Sequence, residues 1–196
     1  MKTRKRRLSD VLTVIGIALV VISVTAVTVS FILQKSAAKK ATAIAAELRA
    51  LVPETQSGFP DGRDNTDMPT AEIGGVDFVG VIEIPAYGTS LPIRAEWKPL
   101  RISSYPCRLT GSTYGGDLII GGSDAEGQFD FMKFITGGDR IFVTDPSGVC
   151  FSYRVTDIIR TNDASIESLI TDEDDLVIFV KNTYSFGYKA VRCKSE

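Results

Sequence analysis

Nucleophilic chemistry in this chain of 196 residues has to begin from three cysteines, Cys107, Cys150 and Cys193, because the sequence holds no histidine. That absence removes the Ser-His-Asp and Cys-His arrangements and the common zinc sites. A thiol becomes a nucleophile as thiolate, and here no imidazole takes its proton. In a compartment that permits disulfides an odd count leaves at least one cysteine unpaired, and the spacing fixes no connectivity. Cys150 and Cys193 lie in or beside strand-like runs, where a free thiol acts as a small buried apolar group. The acidic run Asp172-Glu173-Asp174-Asp175 lacks the alternating oxygen ligands and central glycine of a calcium loop and reads as a solvated turn before a strand. Asp61-Gly62-Arg63-Asp64-Asn65 reads likewise. No phosphate-cradling glycine loop is present, and Gly121-Gly122 and Gly137-Gly138 stand at strand ends and turns. No metal and no cofactor is expected.

Charge is distributed unevenly. Residues 1–10 hold Lys2, Arg4, Lys5, Arg6 and Arg7 against Asp10, whereas seventeen of the 22 basic and twenty-three of the 24 acidic residues lie from residue 34 onward. A balance this close to neutral, acidic over most of the chain, argues against a nucleic-acid binder. Between the two regions Val11 to Leu33 contains no charge and no proline. As a helix it would extend roughly 34 Å, enough for a hydrocarbon core of about 30 Å and too long for the apolar part of a cleaved signal peptide. The basic residues before it place the N-terminus in the cytoplasm and the remainder outside the cell membrane, as a single-pass protein.

The expected order is then a basic tail at 1–10, a transmembrane anchor at 11–33, a stalk helix at 34–53, a linker at 54–75 and a folded domain at 76–196. Ile44, Leu48 and Leu51 stand at helical spacing in the stalk, which ends near Pro53. Glycine, proline and acidic residues without an apolar period mark the linker. Within the domain, FVGVIEI, LPIRAEW, DLIIGGS, RIFVTD, CFSYRVTDIIR, DLVIFVK and YKAVRC are short β-branched and aromatic runs divided by turn signals. Only Gln128 to Phe134 and Ser165 to Ile170 read as short helical turns. Many short strands and few helices predict a mainly β domain, a barrel or sandwich.

The GVIEIP strand, the AEW at 95–97 followed by PCRLTGS, and the stretch containing Phe129 and Gly138-Asp139-Arg140 stand in one order behind an anchor. In that order the chain resembles the sortases of Gram-positive bacteria over about residues 76–194. The resemblance implies a closed eight-stranded β-barrel and a cell-surface cysteine transpeptidase in which Cys, His and Arg process a sorting signal. Residue by residue, the family's histidine falls on Ser123, its Thr-Cys pair on Val180 and Lys181, and its arginine on Tyr188. All three active-site positions depart from the pattern. Lys189, one residue beyond the arginine position, points to the other strand face unless a bulge shifts the register. Cys193 lies near the far end of the last strand.

The resemblance therefore implies a pseudosortase with no catalytic residue at the old site. Ser123, Lys181 and Tyr188 would border a groove that binds a sorting signal, a pilus subunit or an active sortase. An alternative is acyl-transfer or peptidase chemistry by a Ser123/Lys181 pair, which requires a lysine buried enough to act as a base. A third is a structural cell-surface domain whose groove is filled by Tyr184, Phe186 or Tyr188.

Overall fold

The computed structural model describes residues 2–51, 56–57, 67–98, 104–162, 173–181 and 187–196, and within the N-terminal helix it describes the side chains of 14–29, 36 and 39–51. Contacts divide the chain into two units, Met1–Ser36 and Ala37–Glu196. The first unit is helical throughout from Lys2, as part of α1 (Lys2–Leu51). Val14 to Val29 expose their apolar side chains, with Val27 70% accessible. The hydroxyls of Ser23, Thr25 and Thr28 donate to the carbonyls of Leu19, Val21 and Val24 one turn earlier. Among the described residues no helix is long and apolar enough to cross a membrane; of the expected span 11–33, the described side chains are those of 14–29.

In the second unit eight strands close into a barrel. They are β3 (Val76–Ile84), β4 (Thr89–Arg94), β5 (Cys107–Thr110), β6 (Leu118–Gly122), β7 (Arg140–Thr144), β8 (Val149–Thr161), β9 (Leu176–Lys181) and β10 (Tyr188–Ser195). Around the ring β3 is followed by β4, β5, β6, β9, β10, β8 and β7, which returns to β3. The β4–β5 and β6–β9 junctions are parallel and the other six antiparallel. All seven runs expected as strands are present. The strand that pattern reading passed over is β5, only four residues long.

Burial explains the strand sequences. Phe151, Tyr153 and Val155 of β8 point into the barrel while Arg154 and Thr156 face out, an alternation suited to an antiparallel strand with one wet face. The parallel pair β6–β9 is buried on both faces, which is why LIIGG and LVIFV are unbroken small or apolar runs. Leu118, Ile120, Leu176, Ile178 and Val180 join the main core. Ile119, Val177 and Phe179 form a second cluster on the opposite face, beneath Trp97, Leu109 and Tyr188.

Two short strands, β1 (Gln56–Ser57) and β2 (Ala71–Ile73), fall inside the stretch read as a linker. β2 is hairpinned to β3 through Gly74-Gly75, whose φ of 59° and 76° suit glycine at a tight turn. Buried Met68 belongs to the main core as well, so ordered packing starts ahead of Val76. From Ala37 to Leu51 the stalk segment is part of the second unit. Ala41, Ala45 and Leu48 are buried, and the latter two meet Phe78 and Val81 of β3, with Arg49 ion-paired to Glu83. Leu51, expected on the same apolar stripe, is instead 62% exposed, because the buried stripe runs through the alanines and ends at Leu48.

Of the two expected helical turns, the first contains a 3₁₀ turn at Asp130–Lys133, and Ser165 to Ile170 lies outside the described residues. The acidic run corrects the solvated-turn reading where it is described. Asp174 is paired with Arg192 at 3.2 Å, and Asp175 accepts from the Ser195 amide at 2.9 Å and hydroxyl at 2.7 Å. Both carboxylates are buried because β10 brings its cations and hydroxyl alongside them. Among the described residues no group of carboxylates, cysteines or histidines is placed to hold a metal ion.

Candidate functional site

Parallel pairing of β6 with β9 sets Gly122 beside Val180, so the next residues, Ser123 and Lys181, leave the sheet at the same end. Antiparallel pairing of β9 with β10 sets Tyr188 opposite Lys181. Three positions separated by up to 65 residues of sequence thus meet at one rim of the barrel. Their chemistry is local. The Ser123 hydroxyl accepts the Ala125 amide at 3.3 Å, and the Ser123 carbonyl accepts the Phe129 amide at 2.9 Å, so the serine closes its own turn. Lys181 is exposed at the strand end. Tyr188 packs its ring edge-on against Phe179 at 5.6 Å.

Lys189 pairs with Val180 and reaches the carbonyl of Met132 with its ammonium group. It therefore stands on the face opposite Lys181 and Tyr188, and the β9–β10 ladder runs from Tyr188 to Cys193 without the bulge that would turn it round. Burial, and then the neighbouring Arg160, hold its pKa below the usual lysine value.

The described thiols are all free. Cys193 pairs with Leu176, five steps along β9 from Lys181, roughly 17 Å at 3.4 Å per residue. It is buried in the barrel core, and that burial, with Asp174 nearby, pushes its thiol far above the ordinary cysteine range. Cys107 sits nearer the rim, opposite Gly121, but it is fully buried with its sulfur 3.4 Å from the Tyr105 carbonyl. Burial raises its pKa too, against smaller opposing effects of the Lys98 amide and Arg94. Neither has the environment of a reactive thiolate. Cys150 is half-buried on β8.

Trp97 gives this face a feature that sequence reading missed. Its ring packs 5.6 Å from Phe179 and lies over Gly121, where a Cβ would overlap both rings. Trp97, Phe179 and Tyr188 thereby form a continuous aromatic row across β6, β9 and β10. Gly122 makes the matching space for Phe129 on the inner face. The available signal was a glycine pair inside an otherwise apolar strand, which marks close approach of another group. Tyr184 and Phe186, the other side chains expected to fill the groove, lie outside the described residues.

Trp97 also lines an open cleft of about 560 Å³ between Ala95–Trp97 and Arg108–Gly111, with Asp67, Ser112 and Asp117 on its walls. Arg108 bridges it, donating to the carbonyls of Ala95 at 3.3 Å and Gly111 at 3.4 Å and pairing with Asp67. The Arg108 hydrogen bond leads the effects that hold the Asp67 carboxyl below its usual value.

The closed ring and its strand order define a sortase-like barrel. Over 61% of its length the chain is similar to a Clostridium perfringens sortase D5 transpeptidase, at 18% identity and a TM-score of 0.53, covering 79% of that chain. It is similar over 64% to sortase C1 from Streptococcus agalactiae, at 18% identity and 0.53, covering 70% of that chain. With Listeria monocytogenes sortase A the figures are 61%, 16% and 0.51, covering 87% of that chain. At such identities the likeness is one of fold. No family model and no curated protein matches the sequence.

Proposed function

We propose that this protein is a membrane-anchored, extracytoplasmic pseudosortase, which captures a sorting signal, a pilus subunit or an active sortase at its barrel rim without cleaving or ligating it. One observation carries the reading. The three positions that the sequence resemblance sets against the sortase site share one end of the sheet, and they hold a turn-closing serine, an exposed lysine and a stacked tyrosine. A Ser123/Lys181 pair would need a buried lysine and a free serine hydroxyl. Exposure of Lys181 favours binding over acyl transfer.

Support for the anchor comes from the exposed apolar stretch Val14 to Val29, whose serine and threonine hydroxyls return to carbonyls of their own helix and so offer lipid no unpaired polar group. Protease added to intact cells should digest the barrel; protection until lysis would reverse the orientation. The full chain in detergent should neither cleave nor ligate sorting-signal peptides, with or without thiol-blocking reagents. It should bind such peptides in a salt-sensitive way that Lys181→Glu weakens and Ser123→Ala leaves nearly unchanged. Thiol-dependent turnover, or a covalent acyl adduct on Ser123 lost in Lys181→Met, would establish an enzyme instead.

A further inference from the structure

Strands β4 and β5 share one paired position, Arg94 with Cys107. Beyond it the barrel wall opens: β4 ends, the β5–β6 ladder shifts register between Arg108 and Thr110, and the cleft described above occupies the gap. Its volume of about 560 Å³ lies in the range of ligand sites; one flank, Arg108–Thr110, belongs to strand β5, and the other, Ala95–Trp97, is irregular. Beyond Cys107, β5 has no strand partner on its β4 side among the described residues, an edge along which an extended peptide could lie.

The lining sets the chemistry of what enters. Arg108 is the cation on the walls, and its guanidinium is already committed to Asp67 and two carbonyls. Three carboxylates, Asp67, Glu96 and Asp117, face it, and among the described residues no cation is ion-paired with Asp117, whose Oδ1 accepts the Ser112 amide at 2.9 Å. Among the described residues Glu96 is ion-paired with Lys98, at 2.6 Å, whose side chain is itself 44% exposed. Trp97, held in place by Gly121 and Phe179, supplies an aromatic wall, the surface an ammonium or guanidinium prefers.

We propose that the cleft between β4 and β5 binds an extended peptide segment through a lysine or arginine side chain, seated against Trp97 and facing Asp117 and Glu96. None of Ser123, Lys181 and Tyr188 lines this cleft, so binding here does not depend on that rim capturing a sorting signal.

The chain contains a single tryptophan, so its emission reports on this wall alone. The full chain in detergent is titrated with N-acetylated, C-amidated Val-Lys-Val, so that the lysine side chain is the peptide's one amine, and in parallel with the norleucine and glutamate counterparts. A saturable emission change is expected with the lysine peptide, weaker at high salt and at least roughly fivefold weaker in affinity in the Glu96→Gln/Asp117→Asn double variant. Both substitutions keep a side-chain oxygen, and an unchanged melting profile checks that the fold survives. No saturable change, an equal response to norleucine, or full binding by the double variant would each overturn the assignment. Failure here leaves the sorting-signal binding assay, which reads Lys181, unaffected.

Discussion

Trp97 lies across Gly121 so closely that the glycine has no room for a side chain, and the indole packs against Phe179 with ring centroids 5.6 Å apart. The contact joins an irregular segment after β4 to the parallel β6–β9 junction, and so closes the outer face of the barrel at the rim.

Enlarging Gly121 should force Trp97 or Phe179 out of place. Gly121→Val is expected to cost about 1–3 kcal/mol in urea unfolding and to shift Trp97 emission to the red. In a background of Trp97→Ala the same change should cost less, with a coupling of at least about 0.5 kcal/mol in the double-mutant cycle. Additive costs would mean that the two residues do not share the space.

Much of this architecture was legible in the residues, and the parts that were not have physical reasons. Long alternating or continuous apolar runs identified β8, β6 and β9, since a strand buried on one face or both must be written that way. β5 was missed because four residues give too little period, and β2 because its hairpin lies among linker-like glycines and acids. The convergence of Ser123, Lys181 and Tyr188 followed from resemblance. Trp97 was not foreseen, since nothing in AEW says which strand its ring will cover. The pairing of Asp174 and Asp175 depends on the end of β10, adjacent to them in the sheet but some twenty residues on in the chain and so outside any local signal.

Leu48 tests whether the helical segment after Ala37 is a structural part of the barrel. Its side chain is 1% exposed, in a cluster with Phe78 and Val81. Leu48→Ala should lower the unfolding free energy by about 2–5 kcal/mol, the usual cost of a cavity in a packed seam. A fragment of residues 76–196 should likewise melt below one of residues 37–196, because it uncovers that face of β3. Equal melting temperatures would show the helix to be a tether only.

Thiol accessibility provides an independent reading of the core. Cys107 and Cys193 are buried and their thiols are pushed up by burial, so both should stay unmodified at pH 8 while half-buried Cys150 reacts. Peptide mass mapping after brief iodoacetamide treatment should show labelling at Cys150 at least roughly tenfold faster than at the others, with all three labelled in denaturant. Rapid native labelling of Cys193 would place it outside the core.

Asp139 predicts how the barrel responds to acid. Its carboxylate accepts the Thr136 amide at 2.8 Å, the Thr136 hydroxyl at 3.2 Å and the Tyr87 hydroxyl at 2.8 Å, joining the 3₁₀ turn Pro85–Tyr87 to the loop before β7. Burial alone would raise its pKa, but these hydrogen bonds outweigh it and hold the group below its ordinary 3.8. A carboxyl depressed in the folded state stabilises that state above the unfolded value, and the contribution disappears as pH falls through the folded one. Wild type should therefore exceed Asp139→Asn in melting temperature at pH 7, by an amount on the order of 1–2 kcal/mol or less in stability. The gap should narrow below about pH 4, where the unfolded carboxyl begins to take up its proton. Tyr87→Phe should reduce the gap, since it removes one of the donors that depress the group. A difference between wild type and Asp139→Asn that stays constant from pH 7 down to pH 2 would show that these hydrogen bonds do not favour the ionised carboxylate.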